Sequence, residues 1–287
     1  MTATAISRLE IIATADSIEP LPAAVTRLLR VLTDDDFDTN VVVEIMSQDP
    51  ALAGDVLAAA NSAASGASRR IGDMREAVSR IGVREIVNLA LRRAMRGRFA
   101  VPAACYGLGP DDLWRHSLSA SIAADVIRRV ATRPVAPMIS TAALIHDVGK
   151  LVVAQCLPDG VAGQLLDHVD DGTPLDVAER DLLGLDHGEV SAVVARTWGL
   201  PVSVQAALTQ HHLDAGTEVF NQALVLANRL AHAIEEFDVT EDEPASVLRN
   251  VDVVTQLEVC GIEPGAVPNL VIEVADSVTA TLAAYEI

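Results

Sequence analysis

Apolar residues recur every three or four positions along almost every long segment of this chain, the spacing of helices that bury one face. Residues 24–31 set Val25, Leu28 and Leu29 on one stripe, and residues 41–46 continue a second helix. Asp49-Pro50 opens a third, with Asp as N-cap and Pro at the first helical position; it runs to residue 60 and stops at Asn61-Ser62. Residues 71–79 and 84–99 read as two more amphipathic helices broken apart at Gly82. Further on, 111–130 and 271–285 carry the same period. No run of period-2 alternation is bounded by hairpin turns, so the pattern predicts an all-α protein.

The segment 101–110, VPAACYGLGP, holds two prolines and two glycines and is the best internal boundary. It predicts an N-terminal helical subdomain over 1–105 and a second helical subdomain over 106–287, the two sharing an interface. Six of the seven histidines fall between His116 and His212, and the seventh is His232. Residues 238–244, DVTEDEP, read as an acidic loop.

Composition narrows the picture. Aromatic residues make up only 3% of the 287, so the core must be built from Ala, Leu, Val and Ile, which suits closely packed helices. The net charge of −19 repels nucleic-acid phosphates and anionic membrane surfaces, so neither DNA nor membrane is an expected partner. No uninterrupted apolar run reaches the length of about 18 residues that a transmembrane helix needs. The opening MTATAISRLE lacks the basic start and apolar stretch of a secretory signal. Cys105, Cys156 and Cys260 are odd in number, widely spaced and form no CxxC, which predicts reduced thiols used in packing and a cytoplasmic location.

Charge is unevenly spread. Residues 69–98 hold nine Arg against Asp73, Glu76 and Glu85, a block of net +6 that leaves the remainder near −25. One reading pairs these arginines with acids elsewhere in the fold. The other is an exposed electropositive patch, with Arg92, Arg93 and Arg96 in it, for an acidic partner or a phosphate. Every basic residue but one is Arg; the exception is Lys150.

Lys150 stands just after the pair with the clearest chemistry. His146-Asp147 places an imidazole beside a carboxylate at the end of the apolar run 141–145. His116 lies thirty residues earlier on an amphipathic helix, and His187 and the His211-His212 pair follow at helix ends. Imidazole nitrogens with a carboxylate suit Zn, Mn, Fe or Ni. The alternative is structural: His116 as a core histidine bonded to a carbonyl, His211 and His212 closing a helix, Lys150 as a solvated charge. His168 and His232 read as surface or packing residues.

Several strings together, in order, carry a resemblance. They are Glu19-Pro20-Leu21-Pro22, Asp49-Pro50-Ala51-Leu52, Ala60-Asn61-Ser62, Glu76-Ala77-Val78 with Ile81-Gly82, Leu113-Trp114-Arg115-His116-Ser117, His146-Asp147-Val148-Gly149-Lys150, Asp186-His187-Gly188, Trp198-Gly199-Leu200-Pro201 and His211-His212. Over about residues 15–236 the chain resembles the HDOD family, an all-α bacterial signalling fold related to the HD phosphohydrolases. The resemblance implies an N-terminal bundle packed on an HD-like bundle. It implies a metal set of His116, His146, Asp147, His187, His211, His212 and a residue at 228, with Asp147 and Lys150 as candidate catalytic groups. The pattern departs at Asn228, where catalytic relatives carry Asp, and no Gly-Tyr-Pro follows His211-His212. The preferred expectation is therefore a signalling module that binds a protein partner or a small phosphorylated ligand, with a divalent metal site as its residue of chemistry. The alternative is a metal-dependent phosphohydrolase or phosphodiesterase acting on a nucleotide or cyclic nucleotide.

Overall fold

The computed structural model describes residues 7–32, 38–62, 69–213, 216–236, 248 and 252–284. Among these residues there is no strand; a single antiparallel bridge joins Ala103 and Leu108. The chain is all-α, as its periodicity predicts. The acidic stretch 238–244 lies outside the described residues.

Contacts divide the chain into two compact units, Glu19–Arg98 and the described residues on either side of it. Helices α2 (Ala23–Val31), α3 (Thr39–Ser47), α4 (Pro50–Ala60) and most of α5 (Met74–Phe99) make the first. The sequence signals at its corners act as expected. Asp49 caps α4 by accepting from the Leu52 amide at 3.0 Å, with Pro50 in the first turn. Where α4 stops, the Asn61 side chain donates to the Leu57 and Ile71 carbonyls at 2.7 and 2.8 Å and accepts from the Ile71 amide at 2.7 Å. That clamp ties the chain across ten residues of sequence. Gly82 interrupts α5 with φ 80° and ψ 154°, a conformation that L side chains avoid.

Much of the arginine block serves this unit itself. Arg92 is buried and pairs with Glu85 at 3.5 Å, so the expectation of Arg92 in an exposed patch is corrected. Arg93 meets Asp55 at 2.6 Å, Arg69 meets Glu76 at 2.9 Å, and Arg98 donates to the Glu19 and Pro20 carbonyls.

The second unit begins with α1 (Arg8–Asp16), which sequence order had assigned to the N-terminal bundle. Its Ile11 and Ala15 are buried, and it packs against α8 (Val148–Cys156) and α11 (His187–Thr197). Ion pairs Arg8–Glu189 at 3.2 Å and Arg196–Asp16 at 2.9 Å flank the contact. At the centre lies α6 (Asp112–Val130), whose buried face runs through Ser117, Ala120, Ser121, Ala123 and Ala124. Small side chains there let α7 (Ile139–Ile145), α13 (Val219–Glu236) and α15 (Val267–Ala284) lie close. The remaining helices are α9 (Asp159–Asp170), α10 (Leu175–Leu183), α12 (Val202–Gln210) and α14 (Val254–Cys260).

Two glycines set the closest approaches. A methyl group on Gly149 of α8 would fall on the His187 carbonyl oxygen and 2.9 Å from both the His187 carbonyl carbon and the Ser191 nitrogen. One on Gly188 of α11 would sit 2.6 Å from the Leu208 carbonyl oxygen. Thus α8, α11 and α12 touch backbone to backbone where the histidines are. One stretch, Pro264–Ala283, has the length and a mean hydropathy of 1.2 that a membrane span would show. Only 28% of that window is buried: Leu270, Val271, Val274 and Val278 form one stripe, and α15 packs on α6.

Candidate metal centre

His146 and Asp147 form the junction between α7 and α8. Asp147 occupies the N-cap position of α8, yet its carboxylate makes no capping bond and turns inward instead. Its Oδ2 lies 2.6 Å from Lys150 Nζ, 3.5 Å from His146 Nε2 and 3.8 Å from His116 Nε2. Its Oδ1 lies 3.1 Å from His187 Nε2 and 3.7 Å from His211 Nε2. Each oxygen therefore faces its own histidines. Around Oδ2, His116 Nε2 is 3.3 Å from His146 Nε2 and 2.9 Å from Asn228 Oδ1. Around Oδ1, His212 Nε2 is 2.8 Å from His187 Nε2, and His211 joins them.

The far side of each ring is held. His146 Nδ1 is 2.7 Å from the Ala143 carbonyl, and His211 Nδ1 is 2.6 Å from the Leu208 carbonyl. Carbonyls only accept, so both Nδ1 atoms carry the proton and both Nε2 atoms point a lone pair inward. His187 Nδ1 is 2.6 Å from Glu179 Oε2, and His116 Nδ1 is 3.0 Å from Glu235 Oε2, so these two rings are also anchored through Nδ1 to an acceptor behind them.

The inward lone pairs of His146 and His211, the Asp147 carboxylate and Asn228 Oδ1 gather acceptors in one buried place, with Lys150 donating to Oδ2. His211 Nε2 is buried and makes no hydrogen bond among the described residues, and Asp147 Oδ1 has His187 Nε2 at 3.1 Å. Such an arrangement calls for a cation, and nitrogen and oxygen donors in this mixture suit a transition-metal ion. The donor set fits. Burial keeps His146 well below the usual imidazole range, against the pull of Asp147, and burial lowers His212 too, reinforced by His211 and His187. Both are neutral and ready to ligate. Asp147 resists its own burial because His146 and Lys150 beside it hold the carboxyl well below the usual range. At His187, burial works downward, but Glu179 overcomes it and lifts the ring to about 9. A metal arriving on that side must displace one proton.

Comparison with known proteins bears on this geometry. The HDOD domain profile matches residues 18–213. The chain belongs to the HDOD domain family. An uncharacterized protein of Treponema pallidum (strain Nichols) is 26% identical over 202 residues, which is 69% of this chain and 38% of that protein, so the match spans well under half the relative's length. Among solved structures, a candidate phosphohydrolase from Shewanella amazonensis SB2B aligns with TM-score 0.68 at 22% identity, over 94% of this chain and 98% of that one. An HDOD domain protein of unknown function from Geobacter sulfurreducens gives 0.65 at 21%, over 93% and 95%. A candidate signal transduction protein from Marinobacter aquaeolei VT8 gives 0.68 at 24%, over 93% and 59%. At these identities what is shared is the fold.

Within this HDOD chain, every residue the sequence singled out for a metal comes to one place: His116, His146, Asp147, His187, His211, His212 and Asn228. Lys150 sits beside them. The sequence reading missed four others. His232 stacks on His116 with ring centroids 4.1 Å apart. Glu235, Glu179 and Tyr106 lie behind the rings. Two of these had a signal: Asn228, His232 and Glu235 are spaced i, i+4, i+7 on α13 and share a face. A cavity of about 360 Å³ opens onto the centre, lined by Leu108, Leu113, Arg115, His116, Lys150 and Glu235 among others.

The pH dependence of stability follows from these shifts. His146 and His212 have lowered folded values, so their contribution is complete above the unfolded value of about 6.5 and is lost as pH falls. Asp147 and Glu179, also lowered, lose theirs at still lower pH. His187, raised to about 9, contributes fully below about 6.5 and loses its share as pH climbs towards 9. The metal-free protein should therefore melt highest near neutrality and lower on both sides. Thermal unfolding in chelator from pH 5 to 9 tests this; a melting temperature that rises steadily into acid would refute it.

Proposed function

We propose that this HDOD chain holds two divalent transition-metal ions and hydrolyses a small phosphate ester. The observation that carries the reading is Asp147, whose two oxygens each face a separate group of inward-pointing imidazole nitrogens. His116, His146, Asn228 and Oδ2 would hold one ion, and His187, His211, His212 and Oδ1 the other. When bound, such ions lower the pKa of a water and offset charge on phosphoryl oxygens. Fe, Mn, Zn and Ni all suit the donors.

The chain's own groups supply the rest. Lys150 and Arg115 line the cavity and offer cations to a phosphate. Leu108 and Leu113 form an apolar wall, and the cavity lies at the small end of the range that ordinary ligands fill. Glu235 and the backbone carbonyls keep the rings aimed. The fold shared with the Shewanella protein supports this chemistry, and the Marinobacter relative supports a place in signalling. Metal analysis of the purified chain, followed by phosphate-ester hydrolysis assays with Mn and with Fe, tests the reading. Absence of both metal uptake and turnover would overturn it.

Asn228 favours a second reading, in which the centre binds a phosphorylated ligand or signals to a protein partner without turnover. A neutral amide offers a divalent ion less than a carboxylate does. Asn228→Asp adds a charge beside the first ion. At an effective dielectric near 20 a unit charge about 4 Å away contributes about 4 kcal/mol, of which desolvation returns much. The expected outcome is metal binding tighter by about one to two decades, at about 1.4 kcal/mol each. Calorimetric titration of both forms checks it; equal affinity would put Asn228 outside the metal position. Turnover that appears only in Asn228→Asp would favour the second reading for the natural chain.

A further inference from the structure

Of the four rings anchored through Nδ1, His187 has the longest chain of support. Glu179, fully buried on α10, accepts the His187 backbone amide at 2.8 Å and its Nδ1 proton at 2.6 Å on Oε2. Its other oxygen, Oε1, accepts the Tyr106 hydroxyl at 2.6 Å. Tyr106 closes a short 3-10 turn, Ala104–Tyr106. Paired backbone bonds between Ala103 and Leu108, at 3.0 and 3.3 Å, pinch that turn into a tight loop. Gly107 lets the chain reverse with φ 70°. The next residue, Leu108, is part of the cavity wall. So one loop touches the centre twice: behind a ligand through Tyr106, and beside the cavity through Leu108. This loop lies within 101–110, just after the boundary of the unit Glu19–Arg98. The other rings lack this dependence. His146 and His211 are anchored by carbonyls one turn back in their own helices, and His116 by Glu235, whose side chain is 30% exposed.

We propose that Tyr106 and Glu179 are positioning residues for the Oδ1 side of the centre, which makes metal occupancy of that side depend on the order of the 101–110 loop. The inference rests on the two-ion reading above. Its physics is that a ligating imidazole binds well only when its tautomer and orientation are fixed from behind. A second consequence is reciprocity. If an ordered loop tightens metal binding, bound metal orders the loop by the same factor.

The test uses the full chain, Co²⁺ alone as probe, and calorimetry alongside the visible cobalt spectrum. The wild type should take up two ions. Tyr106→Phe keeps the ring and removes one hydroxyl; it should weaken one of the two affinities by about 10- to 100-fold and leave the other unchanged. Glu179→Gln should weaken the same step. Because Glu179 is buried and its variant is the one at risk of misfolding, Tyr106→Phe decides, with metal-free melting as the control for a merely structural effect. Amide exchange in 101–110 should slow on adding Co²⁺ to the wild type, and much less in Tyr106→Phe. A wild type that takes up two ions while Tyr106→Phe gives the same isotherm, or loses both steps equally, overturns this inference alone. A wild type that takes up none overturns the two-ion reading and this with it.

Discussion

Asp147→Asn is expected to remove metal binding on both sides of the centre at once. The substitution preserves shape and deletes the one charge that both groups of histidines share. A charge about 4 Å from each ion is worth about 4 kcal/mol before desolvation at an effective dielectric near 20, or about three decades of affinity. Loss at two positions from one atom-for-atom change is the distinguishing outcome. A variant that retains one tight site would show that Asp147 serves a single ion. Stability should fall as well, because Lys150, 2.6 Å from Oδ2 and 8% exposed, would be left as an uncompensated cation. Breaking a buried pair from one side costs roughly 3–5 kcal/mol. Adding Lys150→Met to Asp147→Asn should recover much of the stability and none of the metal binding, which separates the two roles.

The second large effect is expected at Gly149. In an ordinary helix Gly→Ala stabilises by up to about 1 kcal/mol. On α8 the added methyl would meet the His187 carbonyl and the Ser191 nitrogen, both backbone, which cannot rotate aside. The same contact carries hydrogen bonds: the Gly149 amide donates to Ser191 Oγ at 2.8 Å, and that hydroxyl donates to the His146 carbonyl at 2.6 Å. Gly149→Ala must separate α8 from α11, and with them Asp147 from His187. The cost should reach or exceed the roughly 1–3 kcal/mol typical of overpacking. Gly163→Ala on α9, where an added methyl meets nothing within 4 Å, should instead hold or raise stability. Denaturant midpoints of the two variants should shift in opposite directions; a shared direction would contradict the packing described for α8 and α11.

Much of this fold is written locally. The Asp49-Pro50 start, the Asn61 stop and the Gly82 break are each set by neighbours in sequence, and each does what its chemistry dictates. The candidate site residues were legible for another reason: they stand in strings that resemble the HDOD family, and His146-Asp147 closes a buried run. What was not legible depends on contacts that sequence order hides. Nothing near Glu179 marks it as the partner of His187 and Tyr106, since beside Asp176 and Asp181 on an amphipathic helix it reads as one more surface acid. Nor does α1 announce that it packs on α8 and α11, because its two buried residues, Ile11 and Ala15, give too narrow a stripe. The arginine block was open to two readings, and Arg92 and Arg98 follow the first, spending their donors inside the first unit.

The two ways of anchoring the histidines carry different prospects for evolutionary drift. His146 and His211 are aimed by main-chain oxygens, and every residue has one, so substitutions at 143 or 208 that preserve the helix leave the ring tautomer intact. His187 and His116 are aimed by the carboxylates of Glu179 and Glu235, which a single codon change can erase. A lineage losing this chemistry would be expected to shed the carboxylates first, leaving descendants with all their histidines and two of the four anchored rings slack. Counting retained histidines would then overstate how many such proteins still hold metal, and the glutamates would be the better guide.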